Sequence, residues 1–324
     1  MDTNDLIKQL TREMEEKYGN KSNSGMYQTP SVNDTGYVGI FEKVEDAILA
    51  AKQSQKQLME LSMKKRKEII AAMRIASLEN AEKLAIMAQE ETGFGRVEHK
   101  IIKNVLAAEM TPGTEDLIAN TYTGDDGMTL VELAPYGVIG SITPSTNPSS
   151  TVINNSIGMV AAGNGVVFNP HPSAKKVTSE SISILNKAIY GAGGPRELLT
   201  APLTPTMDTS KVIMSHKDVR ILVVTGGEAV VEVAMKSGKK VIAAGPGNPP
   251  VIVDDTANIK KAAYDVLRGA SFDNNILCIA EKEAFVLNSV LNEFKSEMQK
   301  HGAYELKNRE IDQVTNELFN KNKN

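Results

Sequence analysis

The run from residue 138 to 169, VIGSITPSTNPSSTVINNSIGMVAAGNGVVFN, decides how this chain folds. Val138–Thr143 is a short apolar stretch of strand type, and Thr143-Pro144-Ser145-Thr146-Asn147-Pro148 interrupts it with turn residues. Val152, Ile153, Ile157 and Val160 then recur at helical spacing over Thr151–Ala162, and Val166–Asn169 returns to strand character. The same alternation continues outward. Strands are expected at Leu198–Leu203, Ile221–Val224, Val241–Ala244 and Val251–Val253, with helices at Ala174–Tyr190 and Glu228–Lys236. Short apolar strands alternating with helices predict an α/β fold built on an open, mostly parallel sheet covered on both faces. Such sheets bind ligands at the C-terminal ends of their strands, where helix N-termini also gather.

Upstream, Val44 to about Met110 reads as consecutive helices, with Asn80 as a candidate cap and Gly93 as a candidate stop. Gly124-Asp125-Asp126-Gly127 between two β-prone runs predicts a hairpin over 121–133. Residues 1–18 place Leu6, Ile7, Leu10, Met14 and Tyr18 on one stripe of a polar helix, and 19–38 read as a linker rich in Gly, Asn and Ser. Two fates suit that stripe: docking on a partner, or folding back on its own domain. Phe285 to Asn324 reads as helical and polar, with a frayed Asn-Lys tail.

The bulk numbers exclude several functions. With 324 residues the chain can form two domains. A formal charge of −4 supplies no basic field for nucleic acid or an anionic membrane. There is no apolar run long enough to span a bilayer and no signal-like N-terminus, so no membrane role is expected. One cysteine rules out an internal disulfide, and four scattered histidines suggest no metal site; a cytoplasmic location is expected.

Three places carry chemical potential. Thr225-Gly226-Gly227 leads into a helix, and Gly245-Pro246-Gly247-Asn248 follows a strand. Glycine there admits a phosphate, although plain turn geometry explains it as readily. Cys278, in Phe272-Asp273-Asn274-Asn275-Ile276-Leu277-Cys278, reads by spacing alone as a small buried hydrophobe, while the polar run before it suits a reactive loop. Asn147 between prolines is either a turn residue or an amide donor to a developing oxyanion.

Taken together, the order of T-P-x-x-N-P at 143–148, T-G-G at 225–227, G-x-G-N-P-P at 245–250 and F-D-N-N-x-x-C at 272–278 resembles the aldehyde dehydrogenase superfamily. V-I-N-N-S-I-G-M at 152–159, F-N-P-H-P at 168–172 and A-S-F-D-N-N at 270–275 are similar to its CoA-acylating branch, as found in ethanolamine- and propanediol-utilising bacterial microcompartments. The resemblance implies a targeting helix at 1–18 that meets shell or cargo proteins, then a linker. It implies an NAD-binding domain at 39–250, with 121–133 as an oligomerisation hairpin, and a partial catalytic domain at 251–324. It implies Cys278 as nucleophile and Asn147 as oxyanion donor. NAD would be met by Thr143, Pro144, Asn169, Thr225, Gly226, Gly227 and Gly245, with CoA as co-substrate and no metal. The implied reaction oxidises acetaldehyde or propionaldehyde to acyl-CoA through a cysteine thioester, in a homo-oligomer inside a microcompartment.

Departures from the wider family sharpen this. Ala243 stands where hydrolytic members carry a glutamate base, which favours thiolysis over hydrolysis. Asn169 stands where they often carry a lysine, so ribose contacts differ. Leu277 stands where proline is expected, and His171 in F-N-P-H-P reads as structural. Only 46 residues (324 − 278) follow Cys278, whereas the family continues well beyond it. The alternative is therefore a catalytically impaired, NAD-binding remnant that keeps its targeting helix. A hydrolytic enzyme, recognisable by acid production without CoA, is the third reading.

Overall fold

The computed structural model describes residues 3–18 and 36–319. The expected linker falls outside those residues up to 35, as does the tail from 320. The chain forms two compact units, Met1–Gly247 and Asn248–Asn324.

The first unit opens with α1 (Thr3–Tyr18), then β1 (Ile40–Phe41), α2 (Val44–Met59), α3 (Met63–Glu79), α4 (Ala81–Thr92) and α5 (Val97–Met110). The hairpin β2 (Asn120–Gly124) and β3 (Gly127–Val131) follows, then β4 (Val138–Thr143), α6 (Pro148–Ala161), β5 (Gly165–Pro170) and α7 (Lys175–Gly191). β6 (Leu199–Pro202), α8 (Met207–Ser215), β7 (Val219–Thr225), α9 (Glu228–Met235) and β8 (Lys240–Ala244) complete it. Six strands pair in the order β1-β6-β5-β4-β7-β8, every neighbour parallel.

Both faces of this sheet are covered, as the apolar strands require. Side chains alternate across β5: Val166 and Phe168 join a core with Val152, Ile153 and Ile157 of α6 and Leu185 and Ile189 of α7. Val167 joins the opposite core, with Ala47 and Ile48 of α2 and Ile213 of α8. Truncating a buried ring such as Phe168 to alanine costs about 3–5 kcal/mol in comparable cores.

Several expectations are corrected in detail. Asn80 holds the cap position of α4, but its Nδ2 donates back to Ala76 O at 2.8 Å, closing α3 rather than capping α4. Gly93 ends α4 in the left-handed region at φ 69°, as a stop glycine should. The helix placed at Thr151 begins at Pro148, because proline suits the first helical position. Val38, assigned to the linker, is buried and its N–H donates to Ser183 Oγ at 3.2 Å. Of the α1 stripe, Ile7 and Leu10 lie half-buried against the core that α3 helps to build.

The second unit holds β9 (Pro250–Val253), α10 (Ile259–Ser271), β10 (Glu283–Val286), α11 (Asn288–Lys300) and α12 (Asn308–Leu318). Val251–Val253 thus lies outside the main sheet, paired in parallel with β10, a strand sequence periodicity had merged into a helical tail. A small core of Val253, Ile259, Ala263, Val266 and Phe294 holds this unit together. Among the described residues no helix is long and apolar enough to cross a membrane, and no cluster of potential metal ligands occurs.

Candidate active site

From β4 the chain steps outward through β5 to β6, and then returns to the other side of β4 for β7 and β8. The direction of winding therefore reverses between β4 and β7. A crevice forms outside the carboxyl ends of strands at such a reversal, and it is where open parallel sheets take their ligands. β4 ends at Thr143 and β7 at Thr225, so two of the expected cofactor residues frame this crevice.

Thr143 is buried, and its Oγ1 has no hydrogen-bond partner among the described residues. Its carbonyl accepts from His171 N at 3.1 Å, which ties the ends of β4 and β5 together. His171 itself is exposed, with Nδ1 2.7 Å from Ser173 Oγ, in line with the structural role expected of it.

Gly227 caps α9 at φ −67° and ψ 161°, a conformation open to any residue. A Cβ built there would meet nothing within 4 Å, and the same is true at Gly245. Neither backbone strain nor internal packing explains these two glycines. They leave the backbone N–H groups at the start of α9 open to an anion such as a dinucleotide phosphate. Gly226 N–H donates to Ala244 O at 3.2 Å, holding the β7 turn against the end of β8.

Asn169 is differently placed from a free ribose contact. It is buried, its Nδ2 donates to Ser210 Oγ at 2.7 Å, and its Oδ1 accepts from Thr209 Oγ1 at 2.6 Å. The amide is occupied in fastening β5 to the start of α8.

Asn147 follows β4 and precedes α6, half-buried. Its Oδ1 accepts from Lys103 Nζ at 2.6 Å, and its Nδ2 donates to Thr146 Oγ1 at 3.0 Å. Lys100 Nζ donates to Thr146 O at 3.2 Å. Both lysines come from α5, at 2% and 9% exposure for Lys100 and Lys103. Sequence reasoning missed them, because lysine in a helical pattern reads as a solvated face. The one clue was Lys100, Lys103 and Asn104 at helical i, i+3, i+4 spacing, which puts three polar residues on one face.

In the second unit, Cys278 is half-buried and unbridged. Asp273, Asn274 and Asn275 precede it in a short 3₁₀ segment with φ of 50°, 55° and 61°. Three successive left-handed residues are costly for most side chains, and Asp and Asn are the non-glycine types that tolerate the region best. Asn275 Nδ2 donates to Ala270 O at 2.5 Å and to Glu281 O at 3.2 Å. Lys282 Nζ donates to the carbonyls of Asn275, Leu277 and Ala280 at 3.2, 2.9 and 3.2 Å, so one side chain draws the cysteine loop around itself. Lys282, too, was invisible to sequence reasoning.

Residues 36–312 match the aldehyde dehydrogenase family, and the chain belongs to that family. Its resemblance is to acylating members. It is 51% identical over 282 residues to the acetylating acetaldehyde dehydrogenase of Bilophila wadsworthia (strain 3_1_6), a match covering 87% of this chain and 58% of that protein. The structure superposes with TM-score 0.85 on a propionaldehyde dehydrogenase from the Clostridium phytofermentans fucose utilisation bacterial microcompartment, at 48% identity over 88% of this chain and 66% of that one. A Rhodopseudomonas palustris propionaldehyde dehydrogenase with bound CoA and an acylated cysteine matches at TM-score 0.84 and 44% identity, over 88% of this chain and 65% of the other. The chain therefore spans less than two thirds of the length of these relatives.

Proposed function

We propose that this chain carries the nucleophile and cofactor machinery of a CoA-acylating aldehyde dehydrogenase acting on a short aldehyde, acetaldehyde or propionaldehyde. The observation that carries the reading is Cys278, the single cysteine, held by an Asp-Asn-Asn backbone turn in a family whose Rhodopseudomonas palustris relative has been seen acylated on a cysteine with CoA bound.

Each residue has a derivable role. The Cys278 thiolate adds to the aldehyde carbon. The oxygen that becomes negative accepts hydrogen bonds from Asn147 Nδ2 and from the backbone N–H of Cys278. NAD, when bound, supplies the hydride acceptor. The residues that would hold it are Thr143 and Pro144 at the end of β4, Thr225, Gly226 and Gly227 at the end of β7, and Gly245 after β8. The open space above Gly227 and Gly245 fits a phosphate-bearing ligand. Asn169 contributes by fastening α8, with its amide already engaged. The acyl group held as a thioester on Cys278 is then transferred to the CoA thiol, which releases the Cys278 thiolate. Ala243 offers no carboxylate to activate water, so thiolysis outruns hydrolysis.

In this reading α1 also serves as an attachment for microcompartment shell or cargo proteins, and the exposed hairpin joins copies of the chain. A second reading, carried by the open glycine turns alone, is a dinucleotide-binding protein without turnover. NADH formation by the purified chain with each aldehyde, with and without CoA and beside Cys278→Ala, separates them. CoA-dependent NADH lost in the variant supports the enzyme. Silence from a folded protein that still binds NAD supports the second reading, and acid formed without CoA contradicts the argument from Ala243.

A further inference from the structure

Asparagine ahead of a helix ordinarily turns its oxygen to the free N–H groups of the first turn. Asn147 occupies that position for α6, with φ −136° and ψ 52°, yet its side chain makes no capping bond. The oxygen is turned instead to Lys103 on α5, at 2.6 Å. A lysine Nζ brings protons and an amide NH2 has no lone pair to receive them, so this contact settles which edge of the amide faces the lysine. Nδ2 is left on the other edge. One of its hydrogens goes to Thr146 Oγ1, and the other has no acceptor among the described residues.

Burying lysine is unfavourable, and an apolar side chain would fill such a place more cheaply. Two lysines one helical turn apart nevertheless converge on residues 146 and 147. The scaffold behind them is fixed as well: Ser149 Oγ donates to Asn104 Oδ1 at 2.8 Å, and Asn104 Nδ2 donates to Ala81 O at 2.9 Å, locking α5 to the start of α6.

We propose that Lys103 is the positioning residue for Asn147: it holds the amide away from the helix start so that Nδ2 displays a hydrogen to the oxygen of a bound carbonyl substrate. Lys100 supports it by holding the Thr146 carbonyl. This rests on the reading of Asn147 as oxyanion donor given above. Without Lys103, the Asn147 oxygen swings to the N–H groups of the first turn and becomes an ordinary cap, carrying Nδ2 out of place.

Two measurements test this on the full chain. In protein labelled with ¹⁵N-asparagine, the Asn147 side-chain NH2 pair is identified by its loss in Asn147→Ala. Lys103→Met should shift that pair, and Lys103→Gln, which keeps a donor, should shift it less. An Asn147 pair unmoved in a folded Lys103 variant overturns the proposal, whether or not the chain turns over substrate. In the CoA-dependent assay, Lys103→Met should lower kcat about 10- to 100-fold with aldehyde KM little changed, the size expected for a misplaced oxyanion donor. The double variant with Asn147→Ala should be no slower than Asn147→Ala alone. Losses that multiply, or a change in KM alone, overturn it. A chain with no turnover in any form defeats the enzymatic reading and leaves the resonance of Asn147 to decide the hold of Lys103 on it.

Discussion

Lys282 Nζ donates to the carbonyl of Leu277 at 2.9 Å, which fixes the backbone one residue before Cys278 from a side chain four residues after it. The same nitrogen reaches the carbonyls of Asn275 and Ala280, so the loop closes on a single donor group. Lys282→Met removes all three bonds. Because Lys282 is partly solvated, the stability cost should be modest, about 1 kcal/mol. Its effect on Cys278 should be larger, as faster modification by a thiol-reactive disulfide under native conditions. Unchanged modification kinetics in a folded variant would mean that the three bonds do not hold the loop.

Gly227 should tolerate a methyl group as far as folding is concerned, since nothing in the protein stands within 4 Å of it. Gly227→Ala is therefore expected to fold, with a melting temperature lower by at most about 2–4 °C, the cost of alanine at a helix N-cap. If a dinucleotide phosphate approaches that backbone, NAD affinity should fall about tenfold, which corresponds to ~1.4 kcal/mol. Calorimetric titration with NAD checks this; equal affinity would place the phosphate elsewhere.

Glu109, near the end of α5, has its carboxyl pushed up from the ordinary range, first by burial and then by Glu13 of α1, with Arg74 opposing. A raised carboxyl works against the fold once it ionises. Its contribution is most favourable below the unfolded-state pKa and is lost as pH rises through the raised folded value. Glu109→Gln should accordingly raise the melting temperature slightly at pH 7 and have no such effect in acid. Protection of α1 against proteolysis should follow the same trend. A gain that persists unchanged at low pH would contradict the assignment.

The hairpin β2–β3 is exposed along its whole length, with Tyr122, Met128, Leu130 and Val131 uncovered. Apolar side chains on an unpaired ribbon favour association. Met128→Asp combined with Leu130→Asp should shift sedimentation toward the monomer while leaving the circular dichroism of the main sheet intact. If the distribution stays the same, the hairpin is not the contact.

The legible parts of this molecule were those in which one physical rule acted alone. The strand limits at Val138–Thr143 followed from a short β-prone run set between Gly137 and Pro144, and the end of α4 followed from Gly93. β10 was lost because Glu283–Val286 is too short and too exposed to carry a period. Lys100, Lys103 and Lys282 were lost for another reason: a lysine that turns inward to meet carbonyl or amide oxygens is written with the same letter as one in solvent. Asn80 and Asn147 both sit where a cap belongs, and each turns its side chain to a different partner. Position along the chain indicated where those amides stand, and only the packing of neighbouring helices determined which way they face.

The left-handed turn at Asp273-Asn274-Asn275 changes what the neighbouring letters mean. None of the three needs to touch a reacting atom for its identity to be constrained, since the positive φ by itself favours glycine, asparagine or aspartate at each position. A motif that marks a reactive cysteine can thus be spelled mostly by the shape of the chain leading to it. Redesign of this segment would have to leave those three letters almost untouched, whatever they prove to stand near.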